Sequence, residues 1–177
     1  MTEPRPAVID ASVALAIVLG EPAGVHAEMT LRDWVVRDRP MLVPGLFWLE
    51  VLNTLGRGGR ASGESVLAAV HRLDVFGLQT VEPDRPLLLQ VIDRGERFRL
   101  NAYDALYLAI ADSLDADLAT LDRELAAAAG SRAITFDEGH GFHESPVVYE
   151  RDVTWPSYKG ASAYLAKLRT ETLAERT

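Results

Sequence analysis

The chain has 177 residues, no cysteine, 48% hydrophobic residues and a formal net charge of −8. That content supplies one good core and leaves little room for a second. Without thiols and with four scattered histidines a zinc cage is not expected, and no apolar run is long enough for a bilayer span or forms a signal peptide, so a soluble cytoplasmic protein without a membrane partner is expected.

Taken in order, the chain alternates strand-like and helix-like stretches. The short apolar run Pro6–Asp10 reads as a strand and Ala11–Leu19 as the helix after it. A second helix is expected over Ala23–Arg37, a strand at Met41–Val43, and a further helix through Leu46–Leu52. Ser62–Leu73 reads as a capped helix, Leu78–Glu82 as a short extended piece and Pro86–Phe98 as a helix. Behind an Asn101 cap a helix is expected over Tyr103–Leu114, then a strand at Ala116–Asp122, a helix at Arg123–Ala129 and a last strand at Arg132–Phe136. The pattern predicts an α/β fold with four or five parallel strands between helices.

From residue 138 onward the character changes, and 138–177 is expected to be an extension to a domain formed by 1–137. Pro146–Tyr149 and Thr154–Pro156 read as extended. Ala161–Arg176 reads as a terminal helix with Tyr164, Leu165, Leu168 and Leu173 partly on one side. Its aromatic content is too high for simple disorder, and packing on the core, a dimer contact or a partner all remain open.

Two motifs fail on chemistry. Gly58–Ser65 has the glycine spacing of a phosphate-binding loop, but Glu64 stands where the lysine is needed. Asp137–Glu144 contains metal-friendly side chains, yet its glycines point to an exposed turn.

Four acids carry the functional signal. Asp10 ends the first strand and Asp122 a later one, and Asp104 opens a helix that must begin at the edge where parallel strands end. Glu50 interrupts an otherwise apolar helix, where a lone charge wants a reason. Each has an ordinary explanation alone. Asp10 and Asp122 suit helix N-caps, Asp104 complements a helix dipole, and Glu50 fits a polar strip with Asn53, Thr54 and Arg57. All four at one edge, however, mark the place where open α/β sheets bind ligands.

Two carboxylates about 5 Å apart at an effective dielectric near 20 repel by about 3 kcal/mol, so such a cluster demands protons or cations. Mg²⁺ or Mn²⁺, which take a few carboxylate oxygens and several waters, fit. The negative net charge is unusual for a protein that handles phosphate backbones, but Arg57, Arg60, Arg94, Arg97 and Arg99 offer guanidinium forks.

Val8-Ile9-Asp10-Ala11-Ser12, Trp48-Leu49-Glu50-Val51-Leu52-Asn53, Tyr103–Ala109 and Leu118–Asp122 together resemble, in order and spacing, the acidic motifs of PIN-domain ribonucleases, in particular VapC-type toxins, over roughly residues 5 to 137. The resemblance implies a PIN-like three-layer sandwich with a four- to five-stranded parallel sheet. It implies a Mg²⁺- or Mn²⁺-dependent endoribonuclease acting on RNA, with Asp10, Glu50 and Asp104 as core metal-site acids, Asp122 as the more variable fourth, and Ser12 and Thr120 as small hydroxyl positions beside them. It also implies a cognate antitoxin that covers the acidic cleft, and a homodimer. Two other classes stay open from the residues themselves. A Mg²⁺ phosphohydrolase or phosphotransfer domain would want an Asp where Ser12 stands, and a non-catalytic module would use its acids only as caps.

Overall fold

The computed structural model describes residues 4–56 and 62–136. Strand β1 (Ala7–Ile9) leads into α1 (Ala11–Leu19) and α2 (Pro22–Val36), and β2 (Met41–Pro44) into α3 (Leu46–Gly56) and α4 (Gly63–Asp74). Strand β3 (Gln79–Val81) precedes α5 (Arg85–Phe98) and α6 (Ala102–Ser113), and β4 (Asp117–Ala119) precedes α7 (Arg123–Ala129). A 3₁₀ turn, Gly130–Arg132, then delivers the chain to β5 (Ala133–Ile134).

The five strands form one parallel sheet in the order β3-β2-β1-β4-β5, flanked by the seven helices of the described residues. Its centre is apolar on both faces, as a covered parallel sheet requires. Ala7, Val8, Ile9, Leu118 and Ala119 are fully buried. Helix α6 is buried without interruption from Ala105 to Ala111 and packs against α5, α7 and the three central strands, so this hydrophobic helix is the keel of one layer. Helices α1 and α2 meet so closely that a Cβ on Gly24 would lie 2.1 Å from the Ala16 carbonyl oxygen, and only glycine fits there.

Strand order runs outward from β1 through β2 to β3, then returns to place β4 on the other side of β1. The β1–β4 gap is therefore a topological switch point, and ligands of such sheets bind where the strands end beside it. At the opposite, amino edge the charges are paired. Arg39 reaches Asp117 while its guanidinium lies 4.2 Å from the centre of the Trp34 ring, and Arg5 bridges Asp117 at 3.5 Å and Asp115 at 3.2 Å.

Two boundaries differ from the sequence reading in a way that matters. Strand β4 stops at Ala119, so Asp122 is not a strand-end residue but the N-cap of α7. Strand β5 holds only Ala133 and Ile134, because Arg132 belongs to the preceding turn and points its guanidinium at Asp112. The expected elements beyond 136, the 137/138 boundary and the 137–144 segment lie outside the described residues.

Candidate active site

Asp10 follows β1 directly and occupies the N-cap position of α1, yet its carboxylate makes no capping hydrogen bond. It instead faces the switch point. The Thr120 hydroxyl donates to Asp10 Oδ2 at 2.8 Å and the Ser12 hydroxyl donates to the same oxygen. Each hydroxyl is itself held from β4's side, since Leu121 N–H donates to Ser12 Oγ at 3.0 Å and Asp122 N–H to Thr120 Oγ1 at 3.0 Å. Two hydroxyls thus clamp a carboxylate that is 6% exposed across the seam between β1 and β4. Thr120 is fully buried, which fixes its rotamer.

Glu50 comes from α3 and Asp104 from α6. The Tyr107 phenol, one turn beyond Asp104, donates to Glu50 Oε2 at 2.6 Å and ties the two helices together. Asn101 caps α6 through its carbonyl oxygen, accepting from the N–H groups of Tyr103 at 2.8 Å and Asp104 at 3.0 Å, and its amide donates to Asp104 Oδ2 at 2.6 Å. Asp122 caps α7, its Oδ1 accepting from Glu124 N–H at 2.7 Å and Leu125 N–H at 2.9 Å. The capping explanation therefore holds for Asp122; at Asp10 the amides of Ala11 and Ser12 help to stabilise the carboxylate, but its hydrogen bonds at full geometry are to the two hydroxyls. The polar strip on α3 exists, with Asn53 and Thr54 exposed, but Glu50 is half-buried and bonded to Tyr107.

The acids sense one another. Burial raises the Asp10 carboxyl pKa, with the Ser12 and Thr120 bonds opposing. Burial also raises Glu50, where the Tyr107 bond lowers it and the charges of Asp10 and Asp104 add to the rise. Asp104 is raised by burial, then by the charges of Asp10 and Asp122, with a smaller push from Glu124 against the Asn101 bond. Burial and the bond to Glu50 drive the Tyr107 phenol far upward, so Tyr107 remains a donor. None of the four acids forms an ion pair among the described residues, whereas Glu28, Asp112 and Asp117 each meet two arginines.

Among the described residues this edge has no cationic partner, and hard oxygen donors without a counter-charge suit a divalent cation. Among the described residues no three His, Cys, Asp or Glu side chains stand together as a ready ligand group. A divalent cation held at this edge would therefore have to keep much of its water and meet the carboxylates partly through it.

Of the arginines considered for phosphate, Arg94 is committed to Asp112 and Asp93, and Arg97 lies 5.2 Å from the centre of the Phe98 ring. Arg99 closes α5 in a left-handed conformation, and Arg57 and Arg60 lie outside the described residues. Sequence reasoning missed Tyr107 and Glu124. Tyr107 was detectable as the one polar tip within the apolar run Ala105–Ala111, and Glu124 as the acid beside the Asp122 cap.

The model of the PIN domain matches residues 7–131. The chain belongs to the PIN domain family. No curated protein matches it. Among solved structures, this PIN domain is similar to a toxin–antitoxin complex from Klebsiella pneumoniae, with 16% identity and a TM-score of 0.56 over 75% of this chain and 98% of that one. It is similar to Mycobacterium tuberculosis VapC20, a sarcin–ricin loop cleaving toxin, with 19% identity and a TM-score of 0.54 over 69% and 94%. VapBC2 from Rickettsia felis, bound to a DNA fragment from their promoter, shares 10% identity and a TM-score of 0.55 over 72% and 95%. At these identities the likeness is one of fold. No helix of the described residues is long and apolar enough to cross a membrane.

Proposed function

We propose that this PIN-domain protein is a Mg²⁺- or Mn²⁺-dependent endoribonuclease, the toxin of a toxin–antitoxin pair, with Asp10, Glu50, Asp104 and Asp122 as its metal-site acids. What supports the reading is that Asp10, beside the β1–β4 switch point, and Glu50 and Asp104, both of which feel its charge, have no cationic partner among the described residues. A toxin–antitoxin complex and a sarcin–ricin loop cleaving toxin among the fold neighbours support the biological role.

A divalent ion bound here would orient a water, lower its pKa and offset charge on the phosphate. The chain's own part is positional. Asp10 is locked by two hydroxyls, so the carboxylate does not rotate away during turnover. Tyr107 holds Glu50 by a hydrogen bond, and Asn101 holds Asp104. Asp122 spends Oδ1 on the α7 cap, which suits a supporting rather than a central ligand. The RNA substrate, an antitoxin partner that covers the edge, a homodimer and a separate extension at 138–177 belong to the same proposal.

Purified Asp10→Asn and Asp104→Asn proteins should lose Mg²⁺-dependent cleavage of RNA while circular dichroism shows the fold intact. Cleavage retained by either, at the wild-type rate and with the same metal dependence, rejects the reading.

A further inference from the structure

Helix α5 has two faces of different character. Toward α6 it turns Leu87 and Val91, both buried. On its other side Leu88, Leu89 and Ile92 are 47%, 63% and 59% exposed. Leu88 and Leu89 stand four and three residues before Ile92, so the three side chains form one apolar patch within a single turn of helix.

Two charges bound the patch, Arg85 at its amino end and Glu96 at its carboxyl end. Both are exposed, and neither forms an ion pair among the described residues, where the pairs of α5 are those of Arg94 with Asp93 and Asp112. At 1.5 Å per residue Arg85 and Glu96 lie about 16 Å apart along the axis, too far to meet each other. Helix α2 differs in this respect. It also exposes apolar side chains, Val25, Met29 and Val36, but the charges among them are used within the helix, Glu28 meeting Arg32 and Asp33 meeting Arg37.

The pattern on α5 is symmetric. Arg85 stands four residues before Leu89, and Glu96 four residues after Ile92. A second α5 laid antiparallel across the patch, on a two-fold axis midway between Leu89 and Ile92, sets Leu89 against the partner's Ile92 and Arg85 against the partner's Glu96, and the axis repeats both contacts. Antiparallel packing also brings the positive amino end of each helix beside the negative carboxyl end of the other. Copies of a protein with net charge −8 repel over most of their surface, whereas on this face Arg85 offsets Glu96 and Arg94 offsets Asp93.

We infer that two copies of this protein pair through α5, antiparallel, with Leu88, Leu89 and Ile92 at the centre of the contact and reciprocal Arg85–Glu96 ion pairs at its ends. The pairing needs neither a metal nor nuclease activity, and it gives a surface to the homodimer proposed above. One helix face is smaller than the roughly 800 Å² per partner of a standard interface, so the dimer is reversible and its population rises with concentration.

Sedimentation equilibrium of the full-length protein over a concentration series tests this. Wild type is expected to pass from monomer to dimer. Ile92→Glu puts a charge at the centre of the contact and should leave monomer alone, with an unchanged circular dichroism spectrum because the side chain is exposed. Arg85→Glu or Glu96→Arg alone sets like charges together and should weaken the dimer about tenfold. The double variant Arg85→Glu, Glu96→Arg restores the match and should associate within about twofold of wild type. An acid in the first turn and a base in the last both suit the helix dipole, so these exchanges do not undermine α5 itself. A wild-type protein that stays monomeric at every concentration overturns the inference, and so does a dimer that Ile92→Glu leaves intact, which would place the contact on another face. A double variant as weak as the single ones also overturns it, because α5 would then meet something other than its antiparallel copy. Pairing of this kind in a protein that cleaves no RNA leaves the inference standing and removes the nuclease reading instead.

Discussion

The two edges of the sheet treat the same side chain in opposite ways. At the amino edge Asp117 is enclosed by Arg39 and Arg5, with Arg39 laid on Trp34. At the carboxyl edge Asp10, Glu50, Asp104 and Asp122 meet hydroxyls, a phenol and amides, and no arginine of the described residues pairs with them. Neutral donors hold a carboxylate in place without cancelling its charge, whereas a guanidinium does both. The amino edge is built for stability. The carboxyl edge leaves its carboxylates without a cation among the described residues, the kind of arrangement by which functional sites give up stability.

The largest expected effect breaks the carboxyl edge. Asp104→Asn should lower the rate of RNA cleavage by about 10²–10³-fold, the cost of removing one preorganised electrostatic group, measured at saturating Mn²⁺ with a short fluorogenic RNA. At the amino edge the same chemical change acts on stability and leaves activity alone. Asp117→Asn should cost about 1–2 kcal/mol in urea unfolding, because it takes the carboxylate from Arg39, which is only 15% exposed, while Arg5 keeps Asp115. Asp122 stands between the two behaviours. Asp122→Ala should cost about 1 kcal/mol through the lost α7 cap, and if Asp122 is a supporting ligand its cleavage defect should be smaller than that of Asp104→Asn.

The smallest effect has the opposite sign and sharpens the contrast most. Asp10 and Glu50 titrate above their ordinary values of 3.8 and 4.5, so what they contribute to stability is present below those values and lost as pH rises through the raised ones. In metal-free buffer Glu50→Gln should therefore be more stable than wild type by about 0.5–1 kcal/mol near pH 8, with the gain vanishing near pH 4. Thermal unfolding at the two pH values checks this, and a variant less stable than wild type at the higher pH would show that the acids are not repelling one another.

Much of this organisation can be read from residue order alone. Alternating apolar runs and amphipathic helices determine a parallel α/β sheet. A short strand ending in Asp10 places that acid at the sheet's edge, and Asn101 before Asp104 announces a helix start, because these are local consequences of side-chain chemistry. Tertiary structure decided the rest. Only folding brings Thr120 to the oxygen of Asp10 that its neighbour Ser12 already holds, or Tyr107 of α6 to Glu50 of α3, since Thr120 and Asp10, like Tyr107 and Glu50, are far apart in sequence and no local periodicity encodes those bonds. It also shortened β4 and turned Asp122 from a strand-end acid into a cap. It drew Arg94, a candidate for phosphate, into an ion pair with Asp112, because a half-buried carboxylate between packed helices claims the nearest cation.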